Sequence, residues 1–194
     1  MPSPASPRRL PGSLARVVFV VRALCVLGVV TLLAVPFWFW LSPANVLALG
    51  PQMAGVSGAI AIDERTRALG AAVSLLPIAV GLYALWQLWL LFAEYGAGRV
   101  FGRAALARLQ RFAWALLAAA LLAPLVRAVM SVVLTMGNPA GQRQLVIGFS
   151  WNDYLAVLLA AALLAFATVM AEAVRGARED QPVVQADPSH AHAR

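Results

Sequence analysis

Four long apolar runs divide the chain, separated by segments that hold charge, proline or glycine. They cover residues 23–41, 71–92, 112–135 and 154–171. A helix needs roughly 20 apolar residues to cross a hydrocarbon core of about 30 Å. The runs lack the alternation of barrel strands, and hydrocarbon offers no partner to an unpaired backbone. The pattern predicts an all-α integral membrane protein built as an antiparallel four-helix bundle.

The first run also fits a cleavable signal peptide, because it follows the basic segment PRRLPGSLARVVFVVR. However, it is longer than a signal-peptide core and ends in four bulky aromatic residues rather than a small-residue cleavage site. We interpret it as a retained span with an aromatic anchor. Residues 1–22 then form a basic amino-terminal segment, residues 23–173 the four-span domain, and residues 174–194 a tail whose end is expected to be disordered.

The composition agrees with a lipid-embedded chain. Of 194 residues, 62% are hydrophobic and 12% charged, and the mean hydropathy is +0.80, outside the range of soluble domains. Every basic residue is an arginine, which pairs bidentately with phosphate, so the net charge of +7 makes nucleic acid and lipid headgroups candidate partners. The arginines stand mainly at the ends of apolar runs, which favours anionic headgroups and argues against direct nucleic-acid binding.

Arginine is distributed unevenly among the connecting segments. Most arginines lie before the first span, between the second and third spans, and after the fourth, whereas the other two connections hold Arg65, Arg67 and Arg143. Loops rich in arginine stay on the cytoplasmic side of a membrane. The distribution predicts cytoplasmic termini, and an even number of spans agrees with it.

The segment EYGAGRVFGRAALARLQR, residues 94–111, combines glycines and arginines as a phosphate-binding loop would. It lacks the preceding strand and the lysine followed by serine or threonine that such a loop requires. On a helix its apolar residues share one face and most of its arginines the other, which predicts a short interfacial helix between spans two and three. Its arginines are candidate contacts for headgroups or a cytoplasmic partner: Arg99, Arg103, Arg108 and Arg111.

Three polar residues fall in or beside the spans, where burial of a polar group is costly: Gln87, Arg127 and Asp153. Gln87 is expected to hydrogen-bond across helices. Arg127 is expected to reach outer headgroups or to pair with Asp153 at the start of the fourth span; the alternative is an anion or substrate contact in an outward cavity. Alanines spaced four residues apart predict that spans three and four pack together, although an alanine-rich chain also produces such stripes by chance.

Motifs of enzymes are missing from the sequence. It holds no HExxH, GxSxG or phosphate-loop pattern, and its one cysteine, Cys25, lies in an apolar run. No catalytic residue, cofactor or metal site is therefore expected. The leading hypothesis is a non-enzymatic structural, sensory or regulatory membrane protein, and the alternative is a small transporter or channel subunit with an outward cavity near Arg127. Oligomerisation is left open.

The string LLFAEYGAGRVFGRAALARLQRFAWALL and the tail MAEAVRGAREDQPVV resemble a bacterial membrane-protein family catalogued as a domain of unknown function, DUF2975. The matching residues are Gly98, Phe101, Leu109, Arg111, Glu179, Asp180 and Val184. Gly102 departs from the family, which commonly has a hydroxyl residue there, so a hydroxyl cap at this position is in doubt. The resemblance runs roughly from the first span to Val184. It implies four spans in the bacterial cytoplasmic membrane, no established activity, and a partner such as a small helix-turn-helix regulator.

Overall fold

Five α-helices make up the computed structural model, which describes residues 12–57, 60, 62–98, 102–139 and 141–179. They are α1 (Gly12–Leu41), α2 (Pro43–Ala54), α3 (Glu64–Gly96), α4 (Arg103–Thr135) and α5 (Trp151–Glu179). Helices α1, α3, α4 and α5 are long and apolar enough to cross a membrane. The described residues contain no strand. The prediction of an all-helical, four-span membrane protein is confirmed.

The four long helices pack in chain order, α1 on α3, α3 on α4 and α4 on α5. Their contacts run antiparallel: Gly28 of α1 lies beside Leu85 of α3, whereas Trp40, further along α1, lies beside Gly70. One end of the bundle holds Gly96, Arg103 and the carboxyl end of α5, and we call it the arginine-rich end. The opposite end holds α2 and the two longer connections.

Glycines bring α1 and α3 close together. A Cβ at Gly28 would lie 3.1 Å from Cδ1 of Leu85, and a Cβ at Gly81 would lie 3.0 Å from Cδ1 of Leu32. Each helix thus seats a leucine on a glycine of the other. In lipid there is no hydrophobic driving force between helices, so their association depends on close van der Waals packing, which small residues allow.

Helices α4 and α5 pack together as their alanines predict, but through a partly different stripe. Among the alanines spaced four residues apart in these helices, Ala115 and Ala160 are buried, whereas four others are exposed: Ala123, Ala156, Ala161 and Ala165. Over residues 151–176 of α5, the buried positions are Asp153, Ala160 and Ala167, seven residues apart. A seven-residue repeat keeps one seam in contact over several turns, which a four-residue stripe does not.

The prediction of a separate short interfacial helix between spans two and three is wrong. Helix α3 ends at Gly96, Gly98 adopts a φ of 76°, and α4 begins at Arg103 and continues without interruption to Thr135. Strong helix formers fill the junction between the arginines and the span, and no glycine or proline interrupts it. Gly102 precedes α4 without a side-chain cap, as its departure from the family pattern predicts.

Helix α2 is an element that the hydrophobic pattern does not reveal. It has 12 residues and two prolines, a composition that is typical of a loop. Pro43 occupies its first turn, where no backbone N–H partner is needed, and Gly55 ends it in the left-handed conformation at φ 68°. A small core fixes α2 on the carboxyl end of α4: Val46, Ala54, Val56, Ile60 and Leu134.

Candidate functional site

The amino end of α4 separates its arginines into two environments. Arg103 and Arg111 are exposed, whereas Arg108 is half-buried. The Arg108 Nη1 donates a hydrogen bond of 3.1 Å to Oε1 of Gln87 on α3. Gln87 is 3% exposed, so a charged donor satisfies a buried amide oxygen. The structure brings Gln87 and Arg108 together across two helices, as expected for Gln87, and leaves Arg103 and Arg111 outward.

Some residues of the predicted site lie outside the described part of the chain. These are Arg99, Phe101, Asp180 and Val184. Gly98 is exposed in the turn after α3, Leu109 is half-buried in α4, and Glu179 ends α5. Within the described residues, the family-motif positions of the turn and of α4 adjoin the arginine-rich end.

A contact between α1 and α3 at this end was not predicted. The guanidinium carbon of Arg22 lies 4.9 Å from the centre of the Trp89 ring, within reach of a cation–π interaction. The Arg22 Nε is buried and has no hydrogen-bond partner among the described atoms. The sequence did contain a signal for this contact. Arg22 stands at the start of one span and Trp89 near the end of the next, which places both on the same side of the membrane.

The arginine-rich end also contains a cavity of about 470 Å³ between α4 and α5. Arg103, Gln110 and Arg175 supply its polar lining, and Leu106, Ala171 and Val174 supply apolar lining. Arg175 Nη1 lies 3.3 Å from a carboxylate oxygen of Glu172, one turn earlier on α5. The cavity therefore combines two guanidinium groups with an apolar wall.

At the opposite end, Arg127 and Asp153 form the ion pair that sequence reasoning expected. Both Arg127 Nη atoms donate to Asp153, each at 3.0 Å. The Asp153 side chain is 6% exposed and that of Arg127 30%. The Ser150 backbone N–H and hydroxyl also donate to Asp153, each at 2.7 Å, while Asp153 N–H donates to Ser150 Oγ at 3.2 Å. This reciprocal cap begins α5, so Asp153 joins two helices and starts one of them.

Hydroxyl groups of α4 hold the last connection in place. The backbone N–H of Gln144 donates to Thr135 Oγ1 at 3.1 Å, and that of Val146 donates to Ser131 Oγ at 2.9 Å. The Gln144 side chain donates to Ser57 O at 2.7 Å and accepts from Ser57 N at 3.1 Å. The two connections at the opposite end are thereby tied to each other and to α4. Sequence reasoning missed this network because Ser131 and Thr135 are small residues in an apolar run, where nothing local indicates a hydrogen-bond partner in a distant connection.

The end of α1 is joined to the start of α3 by side chains that were likewise not singled out. Arg67 Nη2 donates to the carbonyl oxygens of Trp40 at 2.8 Å and Leu41 at 3.0 Å, which have no partner further along α1. The Trp40 indole N–H donates to Ser74 Oγ at 3.0 Å, and its ring covers Gly70. The Arg67 side chain thus stabilises the carboxyl end of α1.

The described residues contain no group of three or more His, Cys, Asp or Glu side chains close enough to bind one metal ion. Cys25 is buried in α1. The exposed arginines and the lining of the α4–α5 cavity place charged groups where an external ligand could reach them.

The sequence comparisons agree with the motifs quoted above. No curated protein and no solved structure matches the chain. The family model described as "Protein of unknown function (DUF2975)" matches residues 58–184. The match ends at Val184 as the tail motif indicates, and begins after α2 rather than at the first span. Since it covers about two thirds of the chain, the protein belongs to the DUF2975 family.

Proposed function

We propose that this multi-pass membrane protein is non-enzymatic, lies in the bacterial cytoplasmic membrane with both termini in the cytoplasm, and acts as a regulatory or structural partner. The surface that would carry this role is the amino end of α4, where Arg103 and Arg111 are exposed. Helix α4 has 33 residues and a length of about 50 Å, longer than the roughly 30 Å of hydrocarbon. Its excess length allows the first turns to stand at the cytoplasmic interface.

The observation that carries this proposal is the contrast between these two arginines and three others whose guanidinium groups have partners inside the protein. Arg127 is held by Asp153, Arg67 by two carbonyl groups, and Arg108 by Gln87. Among the described residues, no carboxylate lies within ion-pair distance of Arg103 or Arg111. In the part of the chain that the structure describes, these two cations have no carboxylate partner, and so they are available to an external partner.

The partner that fits this surface is a cytoplasmic protein with an acidic patch, of which a small helix-turn-helix regulator is one candidate. Complementary charge mainly speeds encounter and selects the partner. A path for anions at Arg127 is less well supported, because the bidentate pair with Asp153 occupies the guanidinium. Direct contact with nucleic acid is not part of the proposal.

Charge reversal at one exposed arginine tests the proposal. Tagged wild-type protein, Arg111→Glu and Arg143→Glu are each purified from native membranes in mild detergent. The last variant places the same change on an exposed residue at the opposite end. We expect a cytoplasmic protein to accompany the wild type and Arg143→Glu, to be lost from Arg111→Glu, and to bind purified wild-type protein less tightly as salt increases. Equal recovery of that protein with all three would refute the proposed surface.

A further inference from the structure

The cavity between α4 and α5 has the two-part lining of a site for an amphiphile. Arg103, Gln110 and Arg175 line it with polar groups, and Leu106, Ala171 and Val174 with apolar ones. Because α4 begins and α5 ends at the arginine-rich end, the polar groups of both helices meet at one membrane surface. Its volume of about 470 Å³ is large enough for a headgroup and the first part of an acyl chain.

Charge at this cavity favours an anion. Arg175 is bound to Glu172, but their side chains are 66% and 70% exposed, so the pair is weak and other guanidinium donors remain available. Helix α4 begins at Gly102 without a side-chain cap, so the N–H groups of its first turn add positive potential beside Arg103. The amino end of α4 offsets the opposite partial charge at the carboxyl end of α5. Two arginines then outweigh one exposed carboxylate.

We propose that this cavity binds an anionic phospholipid of the cytoplasmic leaflet, with the headgroup phosphate on Arg103 and Arg175 and an acyl chain along Leu106 and Ala171. Basic cavities between membrane helices on the cytoplasmic side commonly bind such headgroups. Gln110 adds an amide that can donate to a phosphate or glycerol oxygen. The site shares Arg103 and the cytoplasmic placement with the proposed function. Lipid binding needs only the purified protein, so the two proposals can fail separately.

Lipid binding to delipidated protein provides the test. Purified wild-type protein in a neutral detergent is titrated with phosphatidylglycerol, with phosphatidylcholine, and with glycerol phosphate, and bound lipid is counted by native mass spectrometry. We expect saturable binding of phosphatidylglycerol and much weaker binding of the other two. Loss of both guanidinium–phosphate contacts in Arg103→Gln/Arg175→Gln should weaken binding about thirty-fold.

Two further variants separate this site from general attraction to a basic protein. Arg111→Gln removes another exposed arginine of α4, one that is outside the cavity lining, and should change lipid affinity less than two-fold. Ala107→Phe fills the cavity from α4 without changing any charge and should abolish saturable binding. Unchanged affinity in the double arginine variant, or equal loss in Arg111→Gln, would overturn the site. Equally tight binding of glycerol phosphate would overturn the lipid in favour of a free anion.

Discussion

Gly70 is the position at which one added methyl group tests how α1 is fastened to α3. A Cβ there would lie 2.7 Å from both Cζ2 and Cζ3 of Trp40, with Cη2 closer still. Contacts of this kind normally begin at about 3.4 Å, so the indole ring must move, and its hydrogen bond to Ser74 lengthens or breaks. The Gly70→Ala substitution therefore acts on the ring and on its hydrogen bond.

The expected cost follows from those two contacts. Overpacking costs about 1–3 kcal/mol and a lost hydrogen bond about 0.5–1.5 kcal/mol, while alanine gains up to about 1 kcal/mol over glycine in a helix. We expect Gly70→Ala to destabilise the protein by about 2 kcal/mol. Gly176→Ala is the matched control, because a Cβ there meets nothing within 4 Å, and it should leave stability unchanged or slightly raised.

Unfolding in mixed micelles, followed by far-UV circular dichroism as denaturing detergent is added, measures both variants. The reasoning also predicts that Trp40→Leu removes the ring with which the methyl group collides. Gly70→Ala should then cost little in a Trp40→Leu background. A Gly70→Ala protein as stable as the wild type, or an equal cost in both backgrounds, would refute the proposed contact.

Three more predictions concern polar contacts at the opposite end. Arg67→Gln should lower stability by about 1.5–3 kcal/mol in the same unfolding assay, because two carbonyl groups lose a charged donor; an unchanged midpoint would contradict this. Asp153→Ala should destabilise more than Arg127→Ala, since Asp153 also caps α5; the reverse order would show that the cap is unimportant. The hydrogen bond from Thr66 lowers the pKa of Asp63, so its stabilising contribution is complete above the unfolded pKa of about 4 and lost as pH falls through the lowered value. Asp63→Asn should flatten that acid dependence, and an unchanged pH profile would contradict it.

The sequence revealed the spans because their signal is a sum over about 20 residues, which single substitutions scarcely alter. The end of the first span at residue 41 and of the third at residue 135 agree with the ends of α1 and α4. Helix starts were placed too late, since polar residues such as Arg103 continue a helix beyond the apolar run. Helix α2 was missed because its burial depends on a distant partner, Leu134, which no local pattern encodes.

Some contacts of the candidate site could also be predicted from the sequence, whereas others depend on how distant helices pack. The pairing of Arg127 with Asp153 was predictable, because buried charges need a partner and few carboxylates lie at that depth. The role of Arg108 was not, because its side chain points to Gln87 only through the relative rotation of α3 and α4. The α4–α5 cavity likewise depends on the start of α4 and the end of α5, whose lining residues are 61 to 72 positions apart in sequence.

Placement of the arginine-rich end in the cytoplasm is the claim on which both proposals depend. Single cysteines are introduced at Ala104 and Gln142, exposed positions at the two ends, in a Cys25→Ala background. Intact spheroplasts are then treated with a membrane-impermeant maleimide. We predict labelling at position 142 in intact spheroplasts and at position 104 only after permeabilisation. Labelling at position 104 before permeabilisation, with position 142 protected, would contradict the account.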